Sequence, residues 1–192
     1  YDGAGQHYQS FNNVRTAFYA ESDWLKGYPA ATGIGMDLGG ILIDVDAAVF
    51  HTSDAFATPI DNKLQVAAHA YSGQVLEEAR QKKTTPKFER AKSMTFHDRR
   101  LAYISGTAAI RGEESLKGVG LERQLQITME NIAQLIDDAR LVMLRVYLKN
   151  KSDYEVARRE LENYGLNIPV SYLQAGVCRE ELLIEIEGIA IE

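Results

Sequence analysis

The chain has 192 residues, 45% of them hydrophobic, and a formal net charge of −6. That length suits one large domain or two small ones with ample core, and the acidic balance argues against a general nucleic-acid surface. The single cysteine, Cys178, excludes an internal disulfide framework and suits a reducing, cytoplasmic compartment. The four histidines lack ligand spacing, no glycine loop precedes a helix to cradle phosphate, and no apolar run is long enough to span a membrane.

In chain order, residues 8–20 read as a helix, because Tyr8, Phe11, Arg15 and Phe18 recur at helical spacing. Residues 27–36 and 40–51 read as strands joined at the pair Gly39-Gly40, a hairpin signal. A third strand is expected over 62–71, and the polar run 72–87 reads as a connector. Strands follow at 89–96 and 101–108, around the turn His97-Asp98-Arg99-Arg100. Leu121, Leu125, Met129, Ile132 and Ile136 place an amphipathic helix over 120–138. Residues 139–148 form a buried strand. Ser152 with Glu155 reads as a capping box for the next helix, which Gly165 stops. Two strands close the chain. The order ββαβαββ, with a mixed sheet carrying its helices on one face, is α+β.

The chain also repeats itself. Residues 41–50 (ILIDVDAAVF) match 182–191 (LLIEIEGIAI) position by position, with Asp44 over Glu185 and Asp46 over Glu187. Upstream, Tyr8, Phe11 and Arg15 fall near Tyr154, Ala157 and Arg158. The repeat predicts two sheets of one topology: a partial unit with its connector at 1–85 and a complete unit at 86–192. Because the first residue is Tyr1 and the first copy lacks an opening half, the natural chain is expected to extend further upstream.

Four strings carry a resemblance: PAATGIG from Pro29, PKFERA from Pro86, SGTAAIRGEES from Ser105 and CREELLIEIEG from Cys178. The chain resembles the chorismatase family, which joins two Rid/YjgF-like folds of bacterial chorismate-mutase-like topology in one chain. The resemblance implies cleavage of chorismate to pyruvate and a hydroxybenzoate or dihydroxycyclohexadiene carboxylate, with no cofactor. It also implies a site between units or subunits, in a monomer with pseudo-symmetric domains or a homotrimer. The alternatives are a Rid-type enamine/imine deaminase and a non-catalytic small-metabolite module. Rid deaminases carry a carboxylate-binding arginine where this chain has Val170, which argues against the first of these. The run 72–85 departs from the family's tyrosine- and proline-rich segment.

Cleaving an enol ether needs a proton, and a buried carboxylic acid of raised pKa supplies one. Glu185, between Ile184 and Ile186, suits that role, and the resemblance places the family's catalytic glutamate there. Glu187, on the same face, reads as structural. A dianionic substrate calls for arginine. Arg158, beside the stripe Tyr154, Ala157 and Leu161, is the expected partner, with Arg15 as its counterpart in the first copy. Arg179 either binds ligand or caps carbonyls. Tyr71 and Thr107 are candidate hydroxyl donors. Cys178 alone reads as a small buried hydrophobe. In the resemblance, Cys178 and Ala91 line the pocket and steer the ring product, Cys178 towards 3-hydroxybenzoate and Ala91 also towards the diene.

Overall fold

The structure is a computed structural model and describes residues 5–24, 26–36, 39–72 and 84–192. Its centre is a six-stranded sheet in the order β1-β2-β3-β8-β6-β7. The strands are β1 (Ala55–Ile60), β2 (Ala91–Phe96), β3 (Arg99–Thr107), β6 (Arg140–Leu148), β7 (Val170–Gln174) and β8 (Ile184–Ile191). β4 (Ile110–Arg111) and β5 (Glu114–Ser115) form a separate short hairpin. All pairings in the large sheet are antiparallel except β6 with β7, which are joined by a helix, as a parallel pair requires.

Helices α2 (Leu121–Ile136) and α3 (Tyr154–Glu162) cover one face of the sheet. Leu125, Met129, Ile132 and Leu135 of α2 and Ala157 and Leu161 of α3 pack against Ile104, Leu144, Val146, Ile184 and Ile186. Ile132 is fully buried, so truncating it to Ala would cost about 2–5 kcal/mol. The helix α1 (Gly5–Ala20) agrees with the spacing of its aromatic residues.

The downstream unit therefore follows its hydrophobic periodicity closely, and the upstream region does not. Among the described residues, 27–36 and 40–51 form no ladder; 27–36 contributes single bridges, Ala30 with Glu89 and Gly35 with Gly176. Gly39 and Gly40 do take the positive φ values of a tight turn, 66° and 75°, but neither 27–36 nor 40–51 is a strand. Segment 41–50 has no regular secondary structure and is exposed, with Ile41 at 75% and Leu42 at 93%. Its match, 182–191, lies between β3 and β6 and is hydrogen-bonded on both sides. The repeat thus does not yield two like sheets among the described residues, where 41–50 joins no strand ladder.

Two local readings also change. Residues 62–71 are not a strand: the Asn62 side chain accepts from Leu64 N and donates to Asn131 O, which sets a turn, and a short 3₁₀ turn occupies Ala68–Ala70. The connector at 72–87 lies largely outside the described residues. The start of α3 is preceded by a 3₁₀ turn, and no side chain caps it, so Ser152 is not its cap. Strand β1 was not read from the sequence at all.

Candidate active site

Strand β8 is buried along its helix-facing side, and on its other side Glu185 is buried while Glu187, Ile189 and Ile191 are partly exposed. Ile184 and Ile186 face the helices, so Glu185 and Glu187 face the other way. Glu185 is 5% exposed and forms no ion pair among the described residues. Desolvation, and then the Glu187 charge, push its pKa up to about 8, against an opposing pull from Arg90. A carboxyl group in that state carries its proton at neutral pH and can deliver it.

Gly106 makes room for this carboxyl. A β-carbon there would overlap Glu185 Oε1 and stand 2.8 Å from Thr32 Cγ2. The β3–β8 register slips by one between Ile104 and Thr107. That irregularity brings Gly106 under the acid, the kind of local re-aiming that bulges provide beside sites.

A strap formed by residues 27–35 closes over this region. Glu89 N donates to Pro29 O (3.0 Å) and Tyr28 N to Glu89 Oε1 (2.8 Å). Ala31 N donates to Ser105 Oγ (3.0 Å) and Gly106 N to Thr32 Oγ1 (2.9 Å). Gly35 and Gly176 exchange two backbone bonds of 2.8 Å. Arg179 Nη1 then reaches Glu113 O and Ser115 Oγ, each at 2.9 Å. The four strings singled out in the sequence are thereby hydrogen-bonded to one another around Glu185.

Two guanidinium groups flank the Tyr71 ring, Arg90 at 5.4 Å and Arg179 at 5.3 Å from its centroid. Arg90 is 4% exposed; it donates to Val66 O and to the Tyr71 hydroxyl. Its Nη1 makes no hydrogen bond among the described residues. Cys178 is solvent-exposed, with protein packed densely around it, and is not the buried hydrophobe expected from its residue type. Desolvation, followed by the Glu185 charge, pushes its thiol up to about 12, so it is a thiol and not a nucleophilic thiolate. Tyr8 of α1 meets the same group: burial, with Cys178 next, raises it to about 12. Arg15, near Tyr8, bonds Asn12 Oδ1 at 2.7 Å and lies over the Phe11 ring.

The structure brings together Glu185, Cys178, Tyr71 and Arg179, with Arg15 one neighbour away through Tyr8. It separates three other candidates. Arg158 lies on α3, on the helix side of the sheet, and pairs with Glu155 (3.3 Å) and Glu162. Helix α3 turns Ala157 and Leu161 to the core and leaves Arg158 to solvent, opposite Glu185. Ala91 is fully buried in the helix-side core and lines no recess. Thr107 is 1% exposed, and its hydroxyl donates to Ser105 O. Arg90, Gly106 and Tyr8 were missed. The one available signal was that Arg90 and Gly106 sit inside the PKFERA and SGTAAIRGEES strings.

Among the described residues no His, Cys, Asp and Glu cluster is arranged to hold a metal, and no helix is long and apolar enough to cross a membrane. Two shallow surface depressions, one along β1 at Phe56–Pro59 and one between α2 and α3 at Leu125 and Tyr164, lie away from Glu185.

The fold is that of Rid/YjgF-like proteins. It superposes on a chorismatase crystal structure with a TM-score of 0.66 at 24% identity, over 85% of this chain and 51% of that one. It superposes on yeast Mmf1 with a TM-score of 0.53 at 15% identity, over 71% and 99% of the two chains. In sequence it is 29% identical to a 3-hydroxybenzoate synthase of Streptomyces hygroscopicus, over 85% of this chain and 51% of the relative. It is 30% identical to a chorismatase of Streptomyces rapamycinicus, over 84% and 50%. No protein-family model matches. On these similarities the chain is chorismatase-like, and it spans about half the length of the curated relatives it matches.

Proposed function

We propose that this chain carries the catalytic half of a chorismate-cleaving enzyme, with Glu185 as its general acid. The observation that carries the reading is the Glu185 carboxyl, buried, held protonated near neutral pH, and set over Gly106 beside Arg90. Glu185 would protonate the methylene carbon of the enolpyruvyl group. Water then adds to the resulting oxocarbenium carbon, and the ring C–O oxygen leaves with its electron pair and takes a proton. The products are pyruvate and a dihydroxycyclohexadiene carboxylate; a hydroxybenzoate forms instead where the ring also loses water.

Arg90 and Arg179 take the role expected of Arg158. Both stand on the Glu185 side of the sheet, and a guanidinium fork suits a carboxylate. The Tyr71 hydroxyl accepts from Arg90, which leaves its own proton for a ligand oxygen. Cys178, exposed and close to Glu185, would touch the ring and so bear on which product forms.

The test is to incubate the purified protein with chorismate and follow pyruvate, then identify the ring product. Pyruvate release that requires Glu185 supports the reading. Ammonia release from an amino-acid-derived imine, without pyruvate from chorismate, would move the protein to the deaminases.

A further inference from the structure

Glu187 carries more hydrogen bonding than a structural strand residue needs. It lies two residues from Glu185 on the same face of β8, with its side chain only 15% exposed. Its Oε1 accepts from Arg145 Nη1 at 2.8 Å and from the Tyr147 hydroxyl at 2.8 Å. Both donors come from β6, where Arg145 stands opposite Glu187 and Tyr147 opposite Glu185. Two bonds to one oxygen fix the carboxylate in place, and Tyr147, which stands opposite Glu185, is itself only 5% exposed.

We propose that Glu187, anchored by Arg145 and Tyr147, is a positioning residue whose fixed negative charge sets the protonation state of Glu185. The proposal rests on the reading of Glu185 as proton donor. A carboxylate disfavours ionisation of a like neighbour in a partly dry site. Glu187 thus helps keep the proton on Glu185 before the chemical step and favours its return afterwards. The position of Glu187 also agrees with its place as the second cause, after burial, of the raised Glu185 pKa.

Other titratable and charged groups stand near this acid. Arg90, beside β2, opposes the effect. Cys178 and Arg179 lie in the loop before β8, Tyr8 and Arg15 on α1, and Tyr147 and Arg145 on β6. Cys178 and Tyr8 are uncharged at neutral pH, and burial likewise raises Tyr147; Glu89 is a second carboxylate beneath the strap, beside His69, and Glu187 is the one whose charge acts on Glu185.

The test titrates the Glu185 carboxyl directly, by carbon-13 NMR of Glu-labelled protein, with Glu185→Gln assigning the signal. Glu187→Gln removes the charge and keeps the size, so the Glu185 midpoint should fall by on the order of one pH unit. Arg145→Gln leaves the Glu187 charge uncompensated and should move the midpoint the other way. A merely structural role would not produce shifts of opposite sign. A midpoint that stays put in folded Glu187→Gln overturns the proposal. If that variant does not fold, Arg145→Gln decides the matter, and a midpoint that fails to rise overturns it equally. The titration needs no turnover. A shift without any pyruvate release would therefore uphold the coupling and sink the chorismate reading, whereas pyruvate release with no shift would do the reverse.

Discussion

The Glu185 carboxyl occupies the space that a side chain at residue 106 would fill, and the Gly106 N–H is tied at 2.9 Å to the Thr32 hydroxyl. One strand's missing β-carbon and the next strand's acid are therefore a single arrangement, locked from above by the strap.

Gly106→Ala should displace Glu185 without touching its chemistry. The added methyl overlaps Oε1, and the carboxyl must leave its place or the strands must part. Overpacking of this kind costs about 1–3 kcal/mol. Denaturant unfolding should read that loss, and pyruvate release should fall by roughly 10²-fold. An alanine variant with wild-type turnover would show that the acid does not need this seat.

Protein stability should decline as pH rises from about 4.5 towards about 8 on account of Glu185. Its folded pKa is raised above the ordinary carboxylate value of 4.5, so over that interval the folded state holds a proton the unfolded state has lost. The contribution is complete below the unfolded value and is lost through the folded one, on the order of a few kcal/mol in all. Comparing unfolding curves of the wild type and Glu185→Gln isolates it, because the variant should lack this slope. Parallel slopes would mean that Glu185 is not protonated in the folded chain.

Arg90 and Arg158 should behave oppositely. Arg158 stands on the helix side of the sheet with Glu155 and Glu162, so Arg158→Ala should leave the KM for chorismate unchanged. Arg90→Lys keeps the charge but loses the fork that holds Val66 O and the Tyr71 hydroxyl. Its KM should rise by roughly tenfold or more. Steady-state kinetics on both variants checks the pair; a raised KM in Arg158→Ala with none in Arg90→Lys would restore the sequence-based expectation.

Cys178 should react slowly with iodoacetamide at neutral pH despite its exposure, because its thiol is pushed up to about 12. The rate should keep climbing well above pH 9. A rate that levels off near pH 8 would indicate an ordinary thiol.

The parts of the fold that were legible are those whose partners lie in the local pattern. Helix α2 shows its apolar stripe, and β8 shows buried isoleucines around its acids. The parts that were not legible depend on distant neighbours. Segment 41–50 has the residues of β8 and none of its flanking strands, so likeness of sequence did not give likeness of structure. Strand β1 was hidden by Pro59, which a central strand would reject; at the edge of the sheet it is tolerated. For the site, Glu185 was visible from its apolar neighbours, while the choice of arginine was not. Arg158 has the better helical spacing, but only the topology reveals that α3 lies across the sheet from Glu185. Arg90 is marked by nothing in its own neighbourhood except the string that contains it.

The most direct test is the pH profile of pyruvate release from chorismate for the wild-type protein and Glu185→Gln, with folding of both verified. The account predicts wild-type activity that falls as pH rises through about 8, as Glu185 gives up its proton, and a variant slower by about 10²–10⁴-fold with that limb gone. A Glu185→Gln protein that releases pyruvate at the wild-type rate, with the same profile, would contradict it.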